Sequence, residues 1–78
     1  MTKHKSELNT KICLRIKIER IKRNLSQEQL AELAELNRNT IGNLERGIVS
    51  PTVETLEKLA KAFDMGVLDL MDVSKITI

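Results

Sequence analysis

Residues 26–47 read SQEQLAELAELNRNTIGNLERG and contain two short amphipathic helical patterns separated by about four residues. The first pattern follows Ser26, whose hydroxyl can cap the free amides of a helix start, and Gln29 stands where a capping box needs a side chain that reaches back. Asn37 can cap the second helix, and Gly47 can adopt the positive φ that ends it. This segment therefore predicts two short helices joined by a tight connection.

A step of 100° per residue separates an inward side from an outward side on each helix. On the first helix the inward residues are Leu30, Ala31, Leu33 and Ala34. On the second, Ile41 and Leu44 point inward, Arg38 lies on the flank, and the outward residues are Asn39, Gly42, Asn43 and Arg46. Apolar residues thus anchor the second helix, while amide and guanidinium groups face away from it.

These outward groups match the hydrogen-bonding edges in the major groove of DNA. Asparagine can bond an adenine edge at two points, and arginine can do the same for guanine. Asn39 and Asn43 are four residues apart, so they lie one above the other. An ordinary solvated helix face is the alternative interpretation, but the capped helix before it and the glycine after it favour DNA recognition.

At these motifs the chain resembles the phage Cro and repressor type of helix-turn-helix, also called the xenobiotic-response-element family of bacterial regulators. The resemblance runs from about Ile16 to Met71 and is densest in SQEQLAELA, NRNTIGNLERG and SPTVETLEKLAKAF. It implies an all-α fold, a compact five-helix repressor-like DNA-binding domain with the helix-turn-helix formed by helices 2 and 3. It also implies a sequence-specific regulator of transcription that binds double-stranded DNA.

The resemblance assigns expected roles residue by residue. The DNA surface comprises Gln27 at the backbone or an outer base, Arg38, Asn39 and Asn43 at the bases, and Thr40 and Arg46 near phosphates. Arg20 and Glu45 match a pair that commonly forms an internal salt bridge between the first and third helices of the family. Helical spacing also places Glu45 on the flank beside Ile41, which favours a structural role.

Two residues depart from the family pattern. Glu35 stands in the turn where the family usually has glycine, so we expect a non-glycine residue in the left-handed conformation at some cost. Gly42 stands in the middle of the second helix, where glycine costs up to about 1 kcal/mol relative to alanine. Its missing side chain either lets DNA approach closely or simply removes one contact.

The remaining sequence predicts a basic flexible leader over residues 1–9, a DNA-binding domain over residues 10–72 and a tail over residues 73–78 that is a possible short strand or dimer contact. The first helix is expected over about residues 10–23, ending at Asn24 in the left-handed conformation. Its apolar residues lie on two sides, with Ile12 and Ile16 on one and Leu14, Ile18 and Ile21 on the other, so one group is partly exposed or meets a partner. The resemblance favours Ile16 in the core, which makes Leu14 or Ile18 the candidates for exposure.

Two further helices follow the central pair. Thr52 can cap the fourth, whose apolar stripe comprises Val53, Leu56, Leu59, Ala60 and Phe63. A short fifth helix is expected over about residues 67–72, with Leu68 at its edge. The resemblance also implies a homodimer on an inverted repeat. Dimerisation is a physical requirement as well, because one short helix contacts too few base pairs for useful specificity. The expected interface comprises Leu68, Met71, Val73, Ile76 and Ile78.

Charge is distributed unevenly along the chain. Residues 1–23 carry a net charge of +6, whereas residues 24–49 and 50–78 carry −2 each. A basic segment of this kind can contact phosphates beside the groove, and the alternative is a solubilising tail for Lys3 and Lys5.

Other function classes lack support in the sequence. The single cysteine, Cys13, is interpreted as a small hydrophobic residue, and the single histidine, His4, lies in the leader, so no metal site is expected. No cofactor and no small-molecule ligand are expected either. No enzyme motif is present, and neither a membrane span nor a signal peptide is recognisable, so we expect a cytoplasmic protein. The competing hypothesis is a helix-turn-helix protein-interaction module or an antitoxin-like component. A phage repressor, a restriction-modification controller and an antitoxin-like autoregulator all remain open.

Overall fold

The computed structural model describes residues 6–76, which form five α-helices and, within that range, no β-strand. In chain order these are α1 (Glu7–Lys22), α2 (Gln27–Ala34), α3 (Arg38–Glu45), α4 (Val53–Ala62) and α5 (Val67–Met71). α1 packs against α3 and α5, α2 packs against α3 and α4, and α4 packs against α5. The predicted all-α five-helix fold is confirmed, with α2 and α3 as its helix-turn-helix.

Side-chain caps begin four of these helices: Ser6, Ser26, Asn37 and Thr52 each accept a hydrogen bond from a backbone N–H of the first turn. The predicted capping box is complete, because Ser26 N–H also donates to Gln29 Oε1 at 2.8 Å. α1 begins at Glu7 instead of residue 10, since Ser6 Oγ accepts from Asn9 N at 3.1 Å. Residues 7–9, expected in the leader, are therefore helical, and residues 1–5 lie outside the described range.

One or two residues after each of α1 to α4 the chain takes a positive φ, at Asn24, Glu35, Gly47 and Asp64. After α3, for example, Gly47 N–H donates to Leu44 O and Ile48 N–H donates to Asn43 O. This is the Schellman arrangement, which satisfies carbonyls that the helix itself leaves unpaired. The left-handed conformations expected for Asn24, Glu35 and Gly47 are confirmed.

One hydrophobic core joins the five helices. Its buried residues are Ile12, Ile16, Leu30, Ala31, Ala34, Ile41, Leu44, Leu56, Leu59, Ala60, Phe63, Leu70 and Val73. Two residues expected in it are exposed instead, Leu33 by 57% and Val53 by 68%. Leu33 lies to the side of the stripe through which α2 meets α3 and α4, and Val53 is the first residue of α4, at the helix end.

The buried apolar side of α1 is the one that carries Ile12 and Ile16. Ile12 and Ile16 enter the core, whereas Ile18 and Ile21 are exposed on the opposite side. Cys13 is buried, and its Sγ lies 3.9 Å from the carbonyl oxygen of Val49, in agreement with its interpretation as a small hydrophobic residue.

The C-terminal end differs from the expected dimer surface. Val73 is buried in the core, and the half-buried Met71 and Ile76 pack against that core. Because α5 has only five residues, the chain after it covers apolar surface that the short helix leaves open. Leu68 remains 78% exposed, residues 73–76 form a turn and no strand, and Ile78 lies outside the described residues.

A buried carboxylate on α1 was not predicted. Glu19 accepts hydrogen bonds from Arg15 Nε at 2.8 Å and from Arg23 Nη1, and Lys22 Nζ lies 3.5 Å away. Burial raises the pKa of Glu19, but the two arginine hydrogen bonds and the charges of Arg15 and Lys22 outweigh it and lower the pKa to about 2. The spacing of Arg15, Glu19 and Arg23 at every fourth residue was the available sequence signal.

These arginines connect α1 to the far end of the chain. Arg15 Nη1 donates to the carbonyl oxygens of Asp69 and Asp72, and Arg23 Nη2 donates to that of Phe63. Arg23 also lies over the Phe63 ring, 4.8 Å from its centroid. The cluster therefore holds the ends of α4 and α5 against α1.

Candidate nucleic-acid interface

The connection between α2 and α3 positions the candidate interface. Glu35 takes φ 57°, and Leu36 N–H donates to Ala31 O at 2.8 Å. Asn37 Oδ1 then accepts from the backbone N–H groups of Asn39 and Thr40 at 2.9 and 3.3 Å. The turn thus begins α3 at a defined residue and leaves one side of that helix open to solvent.

The pair expected between Arg20 and Glu45 is formed. Arg20 Nε lies 2.6 Å from Glu45 Oε2, and Arg20 Nη2 lies 3.0 Å from Glu45 Oε1. Both side chains are largely buried, and the hydrogen bond to Glu45 raises the pKa of Arg20 against the opposing effect of burial. Arg20 Nη1 also donates to the carbonyl oxygen of Leu25, which anchors the loop before α2.

Glu45 has a second partner, which sequence reasoning missed. Gln27, the first residue of α2, donates from Nε2 to Glu45 Oε1 at 3.0 Å. One carboxylate therefore joins α1, the start of α2 and the end of α3. The hydrogen bond holds the Gln27 side chain beside α3.

The six residues assigned to the DNA surface lie on α3 and at the adjoining start of α2. Arg38, Asn39 and Arg46 are exposed, whereas the half-buried members are Gln27, Thr40 and Asn43. Asn43 Oδ1 accepts from Arg46 Nη2 at 2.8 Å. Among residues 6–76, the side-chain amide of Asn39 has no hydrogen-bond partner, so both its donor and its acceptor face solvent.

Gly42 is buried, although helical spacing placed it on the outward side. Side chains cover it: a Cβ at this position lies 3.5 Å from Arg38 Nη1, 3.7 Å from Arg46 Nη1 and 3.9 Å from Gln27 Oε1. Helical spacing does not show this burial, because it comes from the long side chains of neighbouring residues that lie over the glycine.

A family model for helix-turn-helix proteins matches residues 16–70, more than half of the chain. The chain belongs to the helix-turn-helix family. The transcriptional repressor RstR of the cryptic phage CTXphi, from Vibrio cholerae, is 37% identical over 76% of this chain and 53% of its own length. The control protein C.BamHI of Bacillus amyloliquefaciens is 38% identical over 70% of this chain and 68% of its own length.

A solved structure shares the fold over most of both chains. It is the restriction-modification controller protein C.Esp1396I in a nucleoprotein complex, which is 28% identical to this chain and superposes on it with a TM-score of 0.82. The superposition covers 91% of this chain and 94% of the controller protein. The present chain spans only about half the length of RstR. Phage and controller proteins thus both occur among its relatives.

The charged side chains of the basic first segment and of α3 are paired differently. All three arginines of residues 1–23, Arg15, Arg20 and Arg23, are engaged in internal ion pairs. On α3, by contrast, the only carboxylate belongs to Glu45 and is paired with Arg20. The outward side of α3 therefore carries uncompensated positive charge, although the net charge of residues 24–49 is −2.

Over residues 6–76, no three His, Cys, Asp or Glu side chains lie together as metal ligands. Over the same range, every helix is too short or too polar to cross a bilayer.

Proposed function

We propose that this protein is a sequence-specific regulator of transcription that binds double-stranded DNA with α3 in the major groove. The observation that carries the proposal is the composition of the outward side of α3. Its amides and guanidinium groups face solvent, while its one carboxylate is turned inward and paired with Arg20. The names of the relatives, a transcriptional repressor and a control protein, agree with this function.

We assign the base contacts primarily to Asn39 and Asn43. Asn39 offers an unengaged donor and acceptor, as the two-point bonding of adenine requires. Asn43 Oδ1 is shared with Arg46, yet a carbonyl oxygen has a second lone pair with which to accept from a base. Thr40 and Arg46 contact phosphates, and Gln27 contacts the backbone or an outer base.

We further propose that the protein acts as a homodimer on an inverted repeat. Two recognition helices then enter successive turns of the major groove, about 34 Å apart. Leu68 is the strongest candidate for the dimer contact, because it is the most exposed large apolar residue described. The proposed dimer interface also includes Met71, Ile76 and Ile78. It does not include Val73, because that side chain is buried in the core.

Selection from a random-sequence duplex library at low salt tests the function. We expect enrichment of an inverted-repeat motif by the wild-type protein. The matched control is the Asn39→Ala/Asn43→Ala variant, which keeps the positive charge and is expected to bind duplex without enriching a motif. Recovery of no motif by the wild type contradicts the proposal and favours a protein-interaction module. A regulator of this kind acts where bacterial or phage DNA lies, in the cytoplasm.

A further inference from the structure

Two guanidinium groups converge on one point of the recognition helix. Arg38 lies one turn before Gly42 and Arg46 one turn after it, and both side chains run along the helix toward the glycine. The Nη1 atoms of the two arginines lie 3.5 and 3.7 Å from the position that a Cβ of Gly42 occupies. A side chain longer than that of alanine at position 42 takes the space into which both cations reach. We call the surface formed by Arg38, Gly42 and Arg46 the glycine seat.

The positive charge of the glycine seat is not neutralised by the protein. Over residues 6–76, no carboxylate lies within salt-bridge distance of Arg38 or Arg46. The nearest acid along α3, Glu45, is turned toward Arg20 and Gln27. Both cations lie within 3.7 Å of the same point, and like charges repel each other unless an anion lies between them.

Building on the proposed function, we infer that the glycine seat binds one backbone phosphate of DNA between Arg38 and Arg46. A phosphate carries a full negative charge and offers separate oxygens to two guanidinium groups. A guanine edge, by contrast, presents O6 and N7 to a single guanidinium fork. The absence of a side chain at Gly42 leaves the space in which both guanidinium groups meet. Arg38, a base contact by the resemblance, becomes a phosphate contact in this arrangement.

Substitution of Gly42 tests whether both guanidinium groups must reach the space above this residue. A Cβ fits at ordinary contact distances, so we expect Gly42→Ala to lose little affinity for the selected operator. Gly42→Leu fills the seat with a good helix-forming residue and is expected to lose about tenfold or more, the worth of one charge-assisted hydrogen bond. Equal operator affinity of the Ala and Leu variants, with both folded by circular dichroism, overturns the inference.

A scan with single methylphosphonates locates the contact independently of folding. Each duplex has one phosphate of the operator replaced by a neutral group. We expect one phosphate, together with its equivalent in the other half of the inverted repeat, at which the replacement weakens binding of the wild-type protein. At the same phosphate the replacement should not weaken binding of Arg38→Ala, of Arg46→Ala or of the double variant any further. Lys58→Ala, which removes a charge from the exposed side of α4, is the control and keeps the wild-type pattern.

The outcomes separate the two proposals. If the wild type enriches no operator at low salt, the proposed function itself is wrong. If it binds an operator but Arg38→Ala and Arg46→Ala remove sensitivity at different phosphates, the seat does not hold one phosphate. A change of base preference in Arg38→Ala, with the methylphosphonate pattern intact, likewise overturns the seat and restores Arg38 as a base contact.

Discussion

Arg20 on α1 and Glu45 at the end of α3 are 25 residues apart in sequence and joined by two parallel hydrogen bonds, at 2.6 and 3.0 Å. The same carboxylate accepts from Gln27 at 3.0 Å. Glu45 therefore both stabilises the packing of the helix-turn-helix against α1 and removes negative charge from the side of α3 that faces solvent. Stability and the proposed DNA surface depend on one side chain.

Replacement of Glu45 by alanine should destabilise the protein strongly. The change leaves the buried Arg20 guanidinium without its counter-charge, which costs about 3–5 kcal/mol in comparable buried pairs. Urea unfolding at neutral pH measures the effect. Glu32→Ala, at an exposed carboxylate of α2, serves as the control and should change the free energy of unfolding by no more than about 0.5 kcal/mol. A Glu45→Ala effect equal to the control contradicts the role assigned to the pair.

Stability should fall in acid because of Glu19. Its pKa is about 2 in the folded protein, below the ordinary value of 4.5, so the unfolded chain binds the proton more tightly. The stabilisation is present above about pH 5 and is lost as pH falls through 4.5 toward 2, with a loss of about 3 kcal/mol at most. Urea unfolding from pH 7 to pH 2.5 should show this slope. Glu19→Gln should show a smaller pH dependence, and an unchanged slope counts against the assignment.

The turn between α2 and α3 should tolerate glycine better than its native residue. Glu35 has φ 57°, a conformation that costs a side-chain-bearing residue about 1–2 kcal/mol, so we expect Glu35→Gly to stabilise the protein by about 1 kcal/mol. Gly47 has φ 71°, so the reverse change, Gly47→Ala, should destabilise by at least that amount. Thermal unfolding of the two variants checks both signs, and a destabilised Glu35→Gly protein shows that the carboxylate has another role.

Asn39 should affect base preference more than overall affinity. We expect Asn39→Ala to relax preference at one operator position and to cost about 1–3 kcal/mol, the worth of a two-point base contact. Arg46→Ala, the comparison, should weaken binding to all sequences alike and reduce the salt dependence. Competition among operators with single base changes distinguishes the two effects. Uniform loss by both variants on every sequence makes the division into base and phosphate contacts wrong.

Leu68 should control association. Because its side chain is 78% exposed on α5, Leu68→Asp is expected to give a monomer without loss of folding. Leu33→Asp introduces the same charge at another exposed leucine, on α2, and should leave the mass unchanged. Sedimentation equilibrium gives the masses. A dimer that persists in Leu68→Asp places the interface elsewhere.

The sequence alone determined the elements and most of their ends, with the start of α1 as the exception. Caps and stops are local features, so Ser26, Asn37 and Thr52 predicted helix starts and Gly47 a helix end without knowledge of the fold. Glu35 was expected in the left-handed conformation because the family it resembles usually has glycine at that position of the turn. The outward amides of α3 followed from helical spacing, and the Arg20–Glu45 pair followed from the family resemblance.

Only the tertiary structure decided what each side chain meets. Val73 joins the core because α5 is too short to cover it, and Leu33 is exposed because α2 packs on a narrow stripe. Glu19 acquires its low pKa from arginines that also hold the ends of α4 and α5. Gly42 is covered by side chains from α2 and α3. Local pattern shows the direction of a side chain, but burial and charge pairing depend on helices brought together from distant parts of the chain.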